Sequence, residues 1–228
     1  MAHPIIELRH VWKTYQMGHV QVHALKDVSM QIHQGEFVAV VGPSGSGKST
    51  MMNIIGCLDI PTRGHVLLDG HDIAQMSESR LATIRGKKIG FVFQQFNLIP
   101  TLSALENATL PMIFQGAGTR ERQETGMQLL TQFGLQERAL HKPGELSGGQ
   151  SQRVAISRAL SNNPDVILAD EPTGNLDSKT GAEVMNTLKD IHLKGKTVIL
   201  VTHDLNLVHH AERVIYLKDG MIEKVKKR

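Results

Sequence analysis

The sequence of 228 residues has a single cysteine, Cys57, so it can build neither an internal disulfide framework nor a thiolate zinc site, which suits a reducing compartment. Long apolar runs are missing too. The longest, Phe37 to Val41, is five residues, far short of the roughly 20 that span a bilayer as a helix. The opening residues Met1 to Glu7 hold nothing like the apolar stretch of a secretion signal. An excess of one charge is lacking: 25 Lys and Arg against 22 Asp and Glu leave +3 with twelve neutral histidines, too little to argue for nucleic acid. Internal repeats, low-complexity tracts and flexible linkers are absent as well. What remains is 40% apolar and 21% charged, an ordinary composition for a soluble globular protein. At roughly 150 residues per domain, the length fits one large domain or one core with a smaller insertion.

Along the chain, the first forty residues read as strands at Ile5–Val11, Val20–Ile32 and Glu36–Val41. A helix is expected from Lys48 to Leu58, a strand and turn at Val66–Gly70, a helix over 77–85 and a buried strand at Ile89–Phe93. From Leu98 to Leu160, strand-like runs give way to the helix-compatible stretches Leu102–Leu110, Arg120–Phe133 and Gln150–Ser161, which read as a helical insertion. Strand–helix alternation then resumes with Asp165–Ala169, Ser178 to about His192 and Thr197–Val201, followed by a short helix after Asp204. Lys218-Asp219-Gly220 is a hairpin signal between Val214–Leu217 and Met221–Val225. Apolar strands alternating with helices imply an α/β fold with a mainly parallel sheet.

The nine residues Gly42-Pro43-Ser44-Gly45-Ser46-Gly47-Lys48-Ser49-Thr50 contain G-x-x-x-x-G-K-[ST] between an expected strand and an expected helix, the context in which this motif cradles phosphates. Glycines let backbone N–H groups converge on phosphate oxygens, and the helix N-terminus adds positive potential. Lys48 would reach the β- and γ-phosphates, and the Ser49 hydroxyl would ligate Mg²⁺. With glycine near 7% of average sequences, a chance match in a chain this long has a probability on the order of one per cent.

Val166 to Ala169 is an apolar run ending in Asp170 and Glu171, with Pro172 stopping it. A P-loop enzyme needs an acid near Mg²⁺ at the end of a neighbouring strand, and Asp170 fits that need. Successive residues at a strand end point in different directions, so Glu171 can face a water that Asp170 does not touch. An acidic turn in solvent would be the better reading of Asp-Glu alone, but not downstream of a P-loop. A second apolar strand ends in His203, placed where ligands bind in open α/β sheets. His203, His209 and His210 could suggest zinc, but no carboxylate or thiol completes a ligand set. Leu146-Ser147-Gly148-Gly149-Gln150 precedes a helix. Ser147 and Gln150 have capping-box spacing, and the two glycines allow close approach to an anion.

Taken in order, the P-loop, Phe93-Gln94, Leu146–Gln150, Val166–Glu171, Asn175-Leu176-Asp177 and His203 resemble the ATP-binding-cassette (ABC) ATPases, and the resemblance covers essentially the whole chain. More closely, Asn53-Ile54-Ile55-Gly56-Cys57-Leu58-Asp59 and Phe91 to Pro100 resemble the branch with macrolide-export and lipoprotein-release ATPases. The resemblance implies a single domain over 1–228, with 1–97 and 161–228 as a P-loop core carrying an antiparallel N-terminal β subdomain and 98–160 as a helical subdomain. It implies a head-to-tail homodimer around two Mg²⁺-ATP, the P-loop of one copy facing Ser147, Gly148, Gly149 and Gln150 of the other. Gln94 would sense Mg²⁺ and water, Glu171 would be the general base, and His203 would contact the γ-phosphate. Tyr15 would stack on adenine, and Asp177 would lie at the dimer interface. Without the resemblance, Tyr15 reads as an edge-strand core residue. Ser151 and Ser157 depart from the glutamine and alanine of many relatives, both after the signature.

With no spanning segment, such a chain would drive separate permease subunits from the inner face of the membrane, in the direction of export or extraction. The strip from Gln95 to Phe114, with Phe96, Leu98, Ile99, Leu102, Met112, Ile113 and Phe114, is the expected docking region, although most of these side chains also suit the insertion's own core. A soluble ATPase acting on ribosomes or nucleic acid is the competing class, without the two cassettes or coiled-coil insertion usual there. A regulatory module that transmits force without transport would use the same motor. The tail of Lys224, Lys226, Lys227 and Arg228 reads as solvated rather than as a lipid or RNA contact.

Overall fold

The computed structural model describes residues 4–227. In chain order the elements begin with β1 (Pro4–Met17), β2 (Val20–His33), β3 (Phe37–Val41), α1 (Lys48–Ile55), β4 (Arg63–Leu68), β5 (His71–Asp72), α2 (Glu78–Lys88) and β6 (Ile89–Phe93). Three helices follow, α3 (Ala104–Phe114), α4 (Thr119–Gln132) and α5 (Gly148–Leu160). The chain continues through β7 (Val166–Asp170), α6 (Ser178–Leu193), β8 (Thr197–Thr202), β9 (Arg213–Lys218) and β10 (Met221–Lys227). Two compact units result: residues 4–82 with 192–227, and residues 83–191.

In the first unit β2, β1, β4 and β5 form an antiparallel sheet in that order. Alternation buries Ile6 and Leu8 of β1 and Val28, Met30 and Ile32 of β2, and Val11 and Leu25 are buried too, out of that phase across register shifts. The sequence pattern ends the first strand at Val11, whereas β1 runs on to Met17. Lys13 pairs with Leu25 and Met17 with Val20 around a turn at Gly18. That arm leaves Met17 and Val20 exposed, so it carries no buried face and no alternation to read. The same unit holds parallel β8, β3 and β9, with β10 antiparallel on β9. All five β3 side chains are buried, so both faces of the strand are covered, and each large one contributes roughly 1.5–3 kcal/mol.

In the second unit β6 and β7 pair in parallel. Helices α3, α4 and α5 enclose Ala104, Ala108, Leu130, Leu135, Ala139 and Val154, with Leu98, Leu105, Met127 and Leu146 packed against them. Alanines on α3 and Val154 on α5 let the helix backbones approach closely. Helix α3 opens with a capping box, Ser103 accepting from the Glu106 N–H while the Glu106 carboxylate accepts from the Ser103 N–H. The expected α/β class, with parallel strands, an antiparallel N-terminal sheet and a helical part, is the class observed. Among the described residues no helix is long and apolar enough to cross a membrane.

Candidate functional site

In the first unit, residues 42–47 connect β3 to α1 as a tight loop. A Cβ on Gly42 would stand 2.1 Å from the Leu217 carbonyl oxygen and 2.6 Å from Ser46 Oγ, so only glycine fits. Gly47 has φ +101° and would meet the Ala24 carbonyl oxygen at 2.5 Å if it carried a Cβ. The loop is braced from the β9–β10 hairpin, where the Gly220 N–H donates to the Ser46 carbonyl at 3.0 Å. Gly47 caps α1 without a side chain, and the first turn of α1 holds no acid, so its N–H groups are not claimed by a carboxylate of their own helix. Lys48 Nζ folds back on the carbonyls of Gly42 and Pro43 at 2.8 and 2.9 Å, two neutral acceptors that leave its charge and a third hydrogen for a phosphate. Ser46 is buried, and its Oγ has no hydrogen-bond partner.

Tyr15 sits on the long arm of β1, its hydroxyl donating to Asp59 Oδ2 at 2.9 Å. Lys13 Nζ donates to the other Asp59 oxygen at 2.5 Å and lies 5.0 Å from the centre of the Tyr15 ring. Partial burial and the Asp59 carboxylate push the phenol pKa up, against a hydrogen bond from Thr50 that lowers it. His203 follows β8 and is exposed, while the His209 and His210 rings lie tilted at 37° to each other with centroids 3.9 Å apart.

The second unit carries the other half of the sequence-derived set. Asp170 is the last residue of β7, and Glu171 after it has φ +45°. That left-handed conformation turns the chain sharply at the end of the strand. Gln94 follows β6, its Nε2 donating to Asn175 Oδ1 at 3.3 Å while Asn175 Nδ2 donates to the Gln94 carbonyl at 3.0 Å. With its nitrogen so used, the Gln94 amide presents oxygen as its ligand end.

Ser147 caps α5: its Oγ accepts from the Gln150 N–H at 3.3 Å, and Gln150 Oε1 accepts from the Ser147 N–H at 2.9 Å. Accepting that bond leaves the serine O–H as a donor. Cβ atoms on Gly148 and Gly149 would meet Leu176 at 3.3 Å and Thr180 at 2.5 Å, so the signature glycines lie against the Asn175–Asp177 turn and α6. Asp177 caps α6 through the Thr180 hydroxyl and the N–H groups of Thr180 and Lys179, which together hold its carboxyl below the usual range. The departures Ser151 and Ser157 are both buried, and Ser157 Oγ donates to the Arg153 carbonyl.

Three residues of the second unit escaped the sequence reading. Gln152 is fully buried and donates to the Pro172 carbonyl at 2.6 Å, just beyond Glu171. Arg158 donates to the carbonyls of Phe96 and Asn97, and burial lowers its guanidinium pKa. Asn107, also fully buried, ties the loop before α3 through four bonds to Ile99, Leu102 and Ser103. A polar residue at a core-phase position of a helix is the signal that could have found Gln152 and Asn107.

These residues fit a nucleoside triphosphate with Mg²⁺. The Gly47 cap and Lys48 are donors for phosphate, and a Cβ on Gly45 would stand in open space, leaving its backbone accessible. In the first unit the Ser49 hydroxyl, and in the second the Asp170 carboxylate and the Gln94 amide oxygen, are each hard oxygen donors of the kind that Mg²⁺ prefers.

The family model described as ABC transporter matches residues 25–174. The chain is 56% identical to an uncharacterized ABC transporter ATP-binding protein, MJ0796, of Methanocaldococcus jannaschii, covering 98% of this chain and 97% of that one. It is 48% identical to the macrolide export ATP-binding/permease protein MacB of Shewanella sp. (strain ANA-3) over 97% of this chain, which spans only 34% of that relative. A solved dimeric structure of the MJ0796 cassette in a post-hydrolysis state, bound to ADP and Pi, superposes with a TM-score of 0.90 at 53% identity, covering 97% of this chain and 98% of that one. The extent of these matches leads to one conclusion: the chain belongs to the ABC transporter family and is one of its ATPase cassettes.

Proposed function

We propose that this chain binds Mg²⁺-ATP at two sites shared between two copies of itself and that hydrolysis there drives separate membrane permease subunits. The observation that carries the reading is the pair of helix N-termini prepared for anions, α1 behind a glycine cradle and Lys48, and α5 behind a capped serine that keeps its O–H. The dimeric MJ0796 cassette with ADP and Pi supports it.

In this reading Gly42 to Thr50 hold the phosphates, and Tyr15 stacks on adenine. Ser147, Gly148, Gly149 and Gln150 of the second copy close on the γ-phosphate, with Asp177 near the junction of the copies. Ser49, Asp170 and Gln94 hold Mg²⁺, which when bound neutralises phosphate charge as a Lewis acid. Glu171 takes a proton from water as its oxygen attacks the γ-phosphorus in line. The bond to the ADP oxygen breaks, and His203 donates to a γ-phosphate oxygen. Once phosphate leaves, nothing joins the two copies across that position, and they part.

Glu171→Gln tests this directly. The variant is expected to keep ATP affinity, lose roughly 100-fold or more in turnover, and run as a dimer by light scattering at saturating ATP. A monomer under those conditions would sink the shared-site model.

For the permease, the second unit has a cavity of about 360 Å³ lined by Ile89, Phe91, Phe93 and Pro111 with Arg85 and Arg158 at its polar side. The Phe91 and Phe93 rings stack 5.5 Å apart. An apolar floor with two guanidinium groups suits a short helical segment with an acidic or carbonyl-bearing end. In the strip from Gln95 to Phe114, Met112 is buried and Leu98 packs on the helical core, whereas Ile99, Ile113 and Phe114 are exposed and available for docking. Export or extraction is the direction that the macrolide-export relative supports. Purification of the tagged chain from detergent-solubilised native membranes should recover a stoichiometric multi-span protein. Recovery only with ribosomes or nucleic acid would overturn the permease reading.

A further inference from the structure

Gln152 lies near the start of α5, two residues beyond the capping Gln150, and is wholly buried. Its Nε2 donates to the Pro172 carbonyl at 2.6 Å and lies 3.4 Å from the Phe93 carbonyl. Its Oε1 is buried without a hydrogen-bond partner. As core material this is a poor choice, because methionine fills a similar volume without stranding a polar atom. What glutamine adds is one NH₂ group between two carbonyls.

Those carbonyls flank the two groups assigned to cation and water. Phe93 precedes Gln94, and Pro172 follows Glu171. On the other side of the same turn the Gly174 N–H donates to the Glu171 carbonyl at 3.0 Å, and Asn175 exchanges two hydrogen bonds with Gln94. Glu171 holds φ +45°, which a non-glycine residue keeps only where its surroundings over-determine it. The Gln152 amide and the Gly174–Asn175 backbone and side chain are among those surroundings.

We propose that Gln152 is a positioning residue for hydrolysis: its amide clamps the Phe93 and Pro172 carbonyls, fixing Gln94 and Glu171 relative to each other from the helix that carries Gly148–Gln150. The proposal rests on the reading of Glu171 as general base. It also supplies a route between the two shared sites. A small shift of α5, when its first turn engages phosphate bound to the other copy, moves the clamp and with it Glu171 of its own site.

Gln152→Met removes the donor and keeps the volume. In the purified full chain, kcat for ATP hydrolysis is expected to fall about 10- to 100-fold, as for a displacement near 1 Å of a reacting group. KM for ATP and the Kd of a non-hydrolysable ATP analogue should stay within about two-fold, since no phosphate contact changes. Added to Glu171→Gln, the substitution should lower the residual turnover by less than about two-fold, because groups that act as a unit are not additive. An unchanged kcat in Gln152→Met, or the same fractional loss in both backgrounds, overturns the proposal. Wild-type turnover in Glu171→Gln alone overturns the underlying reading of Glu171 instead, and is seen without any change at Gln152. If circular dichroism shows Gln152→Met unfolded, Gln152→Asn keeps the amide but is one methylene too short to reach both carbonyls. It is expected to lose kcat in the same way, and a wild-type kcat there also overturns the proposal.

Discussion

Asp59 accepts hydrogen bonds from Lys13, from Tyr15 and from the Ile60 N–H, with a quarter of its side chain exposed. Burial alone would push its carboxyl up, but these three donors and the Lys13 charge together hold it below the usual carboxylate range. A folded-state pKa below the unfolded value means that the stabilisation is fully present above the unfolded value near 3.9 and is lost as pH falls through the folded value. Asp59→Asn is therefore expected to cost about 2 kcal/mol at pH 7, or roughly 4–8 °C in Tm for a chain of this size. Thermal melts followed by circular dichroism should show that gap closing below about pH 4. A gap that stays constant with pH would mean that the charge is not its source. The contrast with Lys48 or Glu171 explains what could be read from the sequence at this scale. Those two belong to local strings whose spacing states the chemistry. Asp59 and Gln152 act through groups brought from elsewhere in the fold, so no local string states what they do.

Elements with a buried period or a hairpin signal were legible, and the arm of β1, built on pairing alone, was not. The run Phe37–Val41 and the strand before Asp170 are apolar throughout and lie where expected. The arm of β1 from Trp12 to Met17 is half polar and held by its partner strand, so its pattern stops before its backbone does. Helix α3 shows how an element organises the segment ahead of it. Asn107 Oδ1 accepts from the Ile99 N–H at 2.7 Å, and its Nδ2 faces the carbonyls of Ile99, Leu102 and Ser103 at 3.0–3.1 Å. Asn107→Ala would strand those groups in a buried position, an expected loss of about 2–4 kcal/mol. Native-state hydrogen exchange should show the Ile99 amide opening faster than the core of β3. Unchanged protection at Ile99 would mean that the loop is held by its flanking packing instead.

For the assembled molecule, shared sites predict rescue between two inactive variants. Lys48→Ala disables one component of the cradle, and Gly148→Asp sets a carboxylate at the start of α5. Each alone is expected to be nearly inactive. In a mixed pair one site carries both defects and the other carries neither, so random pairing should restore up to about a quarter of wild-type turnover. No recovery on mixing would argue that each nucleotide is served by one copy alone. The cradle also has a consequence for how the molecule comes into being. Its sequence lies at residues 42–49, yet its wall is the Leu217 carbonyl and its brace the Gly220 N–H. On the ribosome, a nascent chain that has passed residue 50 holds every letter of the phosphate loop but lacks the wall at Leu217 and the brace at Gly220. The loop becomes a finished receptor only when the hairpin near residue 220 emerges and folds back, so competence for nucleotide waits on residues made long after the loop itself.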